Sequence, residues 1–204
     1  MKHFGDIAFT DTVKQEQERI GSRAMYAGMT ARPTPDGLGP AEAAFIQARD
    51  SFYMATVSET GWPYVQHRGG PKGFVKMLSP TKIGFADYRG NKQLVSTGNL
   101  RKADRTSLFM MDYPNRRRLK LLAHTRVLEA SEDPELAEAL ADPGSGPVER
   151  LFLMDVEAFD WNCPQYITPR FTEVELQSRV QPVIEEISYL RGENKALRER
   201  LGEG

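Results

Sequence analysis

Short strand-forming segments joined by tight turns constrain the fold of this 204-residue chain more than any other feature. Residues 52–57 are rich in β-branched and aromatic side chains, and a turn containing Gly61 and Pro63 follows them. Further strand candidates lie at 64–68, 74–78, 82–86, 105–112, 118–129 and 149–159. Because parallel strands need long crossovers, hairpin links and few intervening helices predict an antiparallel, mainly β (α+β) barrel of about six strands.

Helical patterns flank the strands. A helix is predicted over 11–27, capped by Thr10 or Asp11 and ended by Gly28, and a second over 41–50 after a loop rich in proline and glycine. A short helix over 134–141 follows Asp133. We therefore divide the chain into N-terminal helices at 1–50, a barrel domain at 51–171 and a C-terminal helix at 172–204, and expect the N-terminal helices to cover the barrel or extend a subunit contact.

The C-terminal helix carries a heptad pattern. Thr172 and Glu175 have the spacing of a capping box, and the d positions are Leu176, Val183, Leu190 and Leu197. The a positions are Val180, Ile187, Asn194 and Leu201. The pattern favours a parallel dimeric coiled coil; an amphipathic helix packed on its own barrel is the alternative. Pro182 is expected to kink the helix or to mark where a straight helix starts.

Several classes of protein lack support in the sequence. It contains neither G-x-G-x-x-G nor G-x-x-x-x-G-K-[ST], so a Rossmann fold and a P-loop are not expected. Its single cysteine, Cys163, and its three scattered histidines have no zinc-binding spacing. No apolar run approaches a membrane span and the first residues do not resemble a signal peptide, so we expect a cytoplasmic protein without membrane contact.

A basic turn after the fourth strand candidate is the predicted anion site. Arg89 and Lys92 supply cations, Gly90 permits close approach of the backbone, and a helix start follows. Residues 64–120 hold thirteen Lys and Arg against three Asp, a net charge of +10, whereas the whole chain carries −1. This asymmetry indicates an anionic partner.

The segments ATVSETGWPYVQHRGGPKGF, IGFADYRGNKQ, GNL and DRTSLFMMDYPNRRRLKLLAHTRVLE occur in this order in the middle of the chain. They resemble the pyridoxamine 5′-phosphate oxidase-related, FMN-binding split-barrel family, and within it a branch of uncharacterised flavin-nucleotide-binding proteins. The resemblance implies a split β-barrel, an FMN cofactor, and a homodimer whose flavin sites lie between two subunits.

The resemblance also implies site residues. It places Gln66, His67 and Arg68 beside the flavin ring and ribityl chain, and Asp87 and Tyr88 at the ring edge. Lys92 and Gln93 fall where the family usually has an Arg-Lys pair on the phosphate, so Gln93 removes one cation, for which Arg89 or Lys72 is a possible substitute. The remaining predicted site residues are Asn91 in the basic turn, Arg118, which aligns near a glutamine of relatives, and Trp161.

Two function classes follow. In the first, the protein is an FMN-dependent oxidoreductase acting on a small molecule. The residue spacing around Trp161 and Arg170 differs from the spacing found in the vitamin B6 oxidases, so we do not expect the protein to oxidise pyridoxamine phosphate. In the second, it is a non-catalytic flavin carrier or sensor, or a protein that binds nucleic acid through Arg116–Arg118. The acidic remainder of the chain disfavours binding to nucleic acid. A deazaflavin is an alternative to FMN.

Overall fold

The computed structural model describes residues 1–31, 33–161 and 164–202; Cys163 lies outside them. They divide into two units: Met1–Asp112 with Arg117–Gln165, and Tyr113–Arg116 with the segment from Tyr166 onward. The helices are α1 Phe4–Ala8, α2 Asp11–Arg19, α3 Arg23–Thr30, α4 Pro40–Gln47, α5 Val95–Leu100, α6 Pro134–Leu140 and α7 Glu173–Leu201. The strands are β1 Ser51–Val57, β2 Pro63–Gly69, β3 Lys76–Ser79, β4 Lys82–Tyr88, β5 Arg105–Asp112, β6 Arg117–Glu129 and β7 Val148–Trp161.

The strands form one antiparallel sheet in the order β2-β1-β5-β6-β7-β4-β3, the arrangement expected of a split barrel. The predicted fold class is confirmed, but the sheet has seven strands rather than six. Each of the seven strand candidates overlaps one strand of the sheet, so only the count of about six was too low. The four-residue β3 overlaps the candidate at 74–78, and its pairing with β4 is interrupted by a bulge between Met77 and Ser79. β2 and β3 are the two ends of the order, and β2 begins with Pro63.

The core lies on one face of the sheet. Alternate residues of β5 are buried, as the period of two along a strand requires. The largest fully buried side chains include Phe52, Met54, Leu108, Met110, Leu119, Leu121, Phe152 and Met154. A second, smaller cluster packs α6 against β7 through Leu140 and Leu151. Burial of each such side chain contributes about 1.5–3 kcal/mol, so these residues fix which face of the sheet points inward.

The N-terminal region differs from the prediction. One helix over 11–27 was expected, but Gly21, with φ of 78°, ends α2 and a separate helix, α3, begins at Arg23. A left-handed backbone cannot continue a right-handed helix, and glycine adopts it without a Cβ penalty. Thr10 caps α2 as predicted, since its hydroxyl accepts from the backbone N–H of Val13. Gly28 does not end α3, which continues to Thr30.

α7 forms as its capping pattern predicts. The Thr172 hydroxyl accepts from the backbone N–H of Glu175, whose carboxylate in turn accepts from the Thr172 N–H. Pro182 lies inside the continuous helix and does not mark its start. Within the described part of the chain, no helix is long and apolar enough to cross a bilayer.

Candidate functional site

Residues of the predicted anion site line a pocket where β2, β4 and β7 meet the loop that precedes α5. Gln66 and Arg68 lie two residues apart on β2 and therefore project to the same face. Asp87 and Tyr88 are the last residues of β4, and residues 89–94 connect them to α5. The pocket between these elements is lined by Tyr64, Gln66, Arg68, Asp87, Tyr88, residues 90–97 and Arg150. The structure thus brings together most of the predicted site residues.

A buried charge cluster forms the floor of this pocket. Arg68 Nη1 donates to Asp87 Oδ1 at 2.7 Å, and Arg150 Nε donates to Asp87 Oδ2 at 2.9 Å. Arg150 also donates to Glu149 at 2.9 Å, and the Arg68 guanidinium stacks 4.7 Å from the centre of the Phe152 ring. Asp87 therefore fixes the positions of two arginines.

Burial changes the proton affinity of both guanidiniums. Desolvation is the largest influence on the pKa of Arg68 and lowers it, only partly offset by Asp87. For Arg150, burial again acts most strongly and downward, but hydrogen bonds to Asp87 and Glu149 outweigh it and its pKa is raised. Arginine stays protonated in proteins, so both side chains carry positive charge at neutral pH. The cluster is a fixed electrostatic element rather than a proton donor.

Gln66 presents a free amide N–H₂ to the pocket. The Ser96 hydroxyl donates to Gln66 Oε1 at 2.7 Å, which orients the amide. Among the described residues no partner takes the Gln66 Nε2 hydrogens. α5 itself is anchored by the buried Asn99, whose amide donates to Thr56 Oγ1 at 2.9 Å. The wall that positions Gln66 is therefore held by hydrogen bonds to β1 and β2.

The loop at 89–94 has an unusual backbone. Lys92 and Leu94 have φ of 58° and 54°, the left-handed region that non-glycine residues seldom adopt. Such residues cost about 1–3 kcal/mol each and cluster at ligand-binding sites. Asn91 accepts from the Gln93 N–H at 3.2 Å, and a Cβ at Gly90 would meet no atom of the chain within 4 Å. The loop thus leaves open space beside an exposed lysine.

The cations of the basic turn take different positions. Lys92 is exposed, lines the pocket, and has no ion pair within the part of the chain that the structure describes. Gln93 lines the same pocket. Arg89 and Lys72, considered as substitutes for the cation that Gln93 removes, line neither this pocket nor the adjoining one.

The adjoining pocket has a volume of about 290 Å³ and shares Arg68, Asp87 and Tyr88 with the first. His67 lines it and contacts Tyr53 edge to face at 5.6 Å between ring centres. The Tyr88 hydroxyl accepts from the backbone N–H of Asp142 at 2.6 Å. Tyr88 is thereby held between the two pockets.

Besides Arg89, two predicted residues lie outside both pockets of the single chain. Trp161 ends β7, where its Nε1 donates to Glu42 at 2.6 Å and its ring packs 4.8 Å from Phe45. Arg118 lies on β6 with its guanidinium 5.7 Å from the Phe109 ring centre, and its Nε is buried without a partner among the described residues. Their assignment to the site stays a prediction that needs a second chain.

The arginine run predicted as an alternative nucleic-acid contact is largely used by the chain itself. Arg117 stacks on Trp161 at 4.5 Å and on Phe45 at 5.4 Å, and Arg118 stacks on Phe109. Arg116 occupies the tight turn before β6 with φ of 51°. Arg117 and Arg118 are therefore both engaged by aromatic rings of the chain itself.

Arg150 is the main residue that sequence reasoning missed. It pairs with Asp87 in the β4–β7 register, across 63 positions of sequence. A strand candidate containing Arg150 was recognised, but nothing local indicates which strand lies beside it. Ser96 was missed for a similar reason, since only the fold brings it to Gln66.

No metal centre is found: the described residues contain no group of three or more His, Cys, Asp or Glu able to hold an ion.

The chain is similar in part to several solved structures. A putative pyridoxamine 5′-phosphate oxidase from Lactobacillus delbrueckii is 20% identical, with a TM-score of 0.48 over 62% of this chain and 96% of that one. An FMN-binding protein from Syntrophomonas wolfei is 11% identical, with a TM-score of 0.45 over 75% and 96% of the two chains. HupZ from Group A Streptococcus is 10% identical, with a TM-score of 0.48 over 66% and 100%.

No curated protein matches the chain significantly. The model of the family described as pyridoxamine 5′-phosphate oxidase, however, matches residues 38–158, from the segment before α4 to near the end of β7. Since the match covers more than half of the sequence and includes β2, β4 and the loop at 89–94, the chain belongs to the pyridoxamine 5′-phosphate oxidase family.

Proposed function

We propose that the protein binds FMN in the pocket between β2, β4 and the loop at 89–94, and acts as a flavin-dependent oxidoreductase on a small molecule. The observation that carries the proposal is the charge of the pocket lining: Arg68, Lys92 and Arg150 against the single carboxylate of Asp87. A site with this charge suits a phosphorylated ligand.

The residues present fit FMN. Lys92, which is exposed and has no ion pair among the described residues, would hold the phosphate. The Gln66 amide, oriented by Ser96, would donate to an oxygen of the ribityl chain or ring. Arg68 and Arg150, fixed by Asp87, would keep the surrounding potential positive. Bound FMN would supply hydride or single-electron transfer, and the protein would bind and orient it and exclude water.

A second subunit is part of the proposal. The two adjoining pockets have volumes of about 70 and 290 Å³, each below the roughly 300–1,000 Å³ of typical ligand sites. We therefore propose a homodimer whose second chain completes each site, with Arg118 and Trp161 as the residues that it would contribute. The Arg118 Nε is buried beside Phe109 with no partner in the described part of the chain, which supports this assignment.

Lys92→Ala tests the phosphate contact. Loss of a charge-assisted hydrogen bond of about 1.5–3 kcal/mol should weaken FMN binding roughly 10- to 150-fold, measured by quenching of flavin fluorescence. Lys72→Ala is the matched control, because Lys72 is also exposed and lines neither pocket. Equal affinity of the two variants would refute the role of Lys92.

The wild-type protein tests the function itself. We expect its purified form to absorb at flavin wavelengths and to release FMN on heating. Reduction of the bound flavin by a nicotinamide donor in the absence of oxygen is the expected sign of turnover. Failure to bind added FMN would overturn the proposal, and release of a deazaflavin would correct the cofactor.

A further inference from the structure

We propose that α7 pairs with α7 of a second copy of this chain, as a parallel two-stranded coiled coil over residues 176–201. The heptad pattern indicates such a helix, but it does not exclude packing on the helix's own barrel. Three features of α7 itself support pairing with a second copy. None of them depends on the flavin site.

The first feature is the exposure of the heptad positions. No residue of α7 is buried, although the helix spans 29 residues. The apolar side chains at the a and d positions before Asn194 are 40–52% exposed: Leu176, Val180, Val183, Ile187 and Leu190. An apolar stripe of this length is the surface that a partner helix covers.

The second feature is the charge at the edges of the stripe. Glu186 and Glu193 occupy g positions, and Arg191 and Arg198 occupy the e positions five residues later. None of the four has an opposite charge three or four residues away in its own helix, and none forms an ion pair within the described residues. In a parallel pair, each g glutamate faces an e arginine of the other helix.

Residues on the opposite side of the helix behave differently. Lys195 lies 4.0 Å from Glu199, and the Gln181 amide donates to Glu185 at 2.9 Å. The outer side thus satisfies its polar groups within one helix, whereas the edges of the apolar stripe do not. This contrast is expected when a second helix supplies the missing charges.

The third feature is Asn194, which sets the direction of pairing. A parallel, in-register pair places Asn194 opposite Asn194 of the partner, so the two amides can hydrogen-bond. An antiparallel pair would place an a residue against a d residue and leave this amide facing an apolar side chain. Pro182 occupies a c position, outside the seam, so it does not obstruct the contact.

Disulfide trapping tests the pairing directly. In a Cys163→Ser background the introduced cysteine is the sole thiol. Leu190→Cys places it at d, and Ser188→Cys places it at b on the outer side. We expect Leu190→Cys to form at least tenfold more covalent dimer under mild oxidation. Equal trapping of the two variants would overturn the proposal.

Charge exchange provides the second test. Within the Leu190→Cys variant, E186R/E193R and R191E/R198E each create like charges across the seam, and each should trap about tenfold less dimer alone. A mixture of the two should form mainly the mixed disulfide. A yield of disulfide-linked dimer that is unchanged by these substitutions would refute the parallel register. FMN affinity, measured on the same variants, separates failure of this proposal from failure of the flavin site.

Discussion

Replacing Asp87 by asparagine should destabilise the protein strongly. Asp87 accepts from Arg68 at 2.7 Å and from Arg150 at 2.9 Å, and all three side chains are only 13–14% exposed. The asparagine side chain would have one acceptor oxygen and no charge, leaving two buried guanidiniums with Glu149 as their remaining carboxylate. Removing one partner of a buried ion pair costs about 3–5 kcal/mol, and Glu149 places our expectation near the lower bound.

β4 and β7, the strands that carry Asp87 and Arg150, also provide a matched control. Lys82 and Asp155 face each other in the β4–β7 register and form an ion pair of 3.1 Å, but their side chains are 33% and 48% exposed. Because exposed pairs contribute about 0–1 kcal/mol, Asp155→Asn should change stability little.

Thermal unfolding of flavin-free protein at one fixed concentration measures both variants, since bound ligand or altered association would shift the midpoint. At about 2–4 °C per kcal/mol for a chain of this size, Asp87→Asn should lower Tm by about 6–12 °C, and Asp155→Asn by less than about 4 °C. Similar losses of stability in the two variants would refute the claim that burial makes the Arg68–Asp87–Arg150 ion pairs contribute more to the free energy of unfolding than an exposed pair does.

Two further predictions concern other parts of the fold. Hydrogen bonding to Asp104, then to Glu157, raises the pKa of His124 above its ordinary 6.5, so its stabilising charge is present below pH 6.5 and lost as pH rises through the folded pKa. His124→Gln should flatten this part of the stability curve in a pH series of urea midpoints; because the ring is half-exposed, the effect should stay below about 1 kcal/mol. Gly37→Ala should cost about 1–3 kcal/mol, since its Cβ would lie 2.7 Å from the Pro80 carbonyl oxygen. Gly28→Ala, which meets no atom within 4 Å, should be neutral or stabilising in the same assay.

Local signals in the sequence predicted much of the secondary structure. Strand-forming composition, the Thr10 cap and the Thr172–Glu175 capping box act over a few residues, and the structure confirms each of them. The break at Gly21 was missed because an isolated glycine inside a helical pattern is often tolerated, and only its left-handed backbone shows that the helix ends.

Non-local pairing limited the prediction of the site. Gln66, Arg68, Asp87 and Lys92 were identified through strand order and family resemblance. Arg150 reaches Asp87 only because β7 runs beside β4, an adjacency that the roughly 60 residues between them do not encode locally. The family motif likewise does not include α7. The proposed pairing of α7 is inferred from its exposed apolar side chains at a and d, and from the e and g charges that form no ion pair among the described residues.

The ends of the sheet bear on how the protein behaves at high concentration. A long, flat terminal strand exposes backbone N–H and C=O groups to which a strand of another molecule can add, the first step toward amyloid-like aggregates. Here one terminal strand is four residues long and bulged, and the other begins with Pro63, which has no N–H to offer. Strand-by-strand addition is thereby disfavoured at both ends of the sheet.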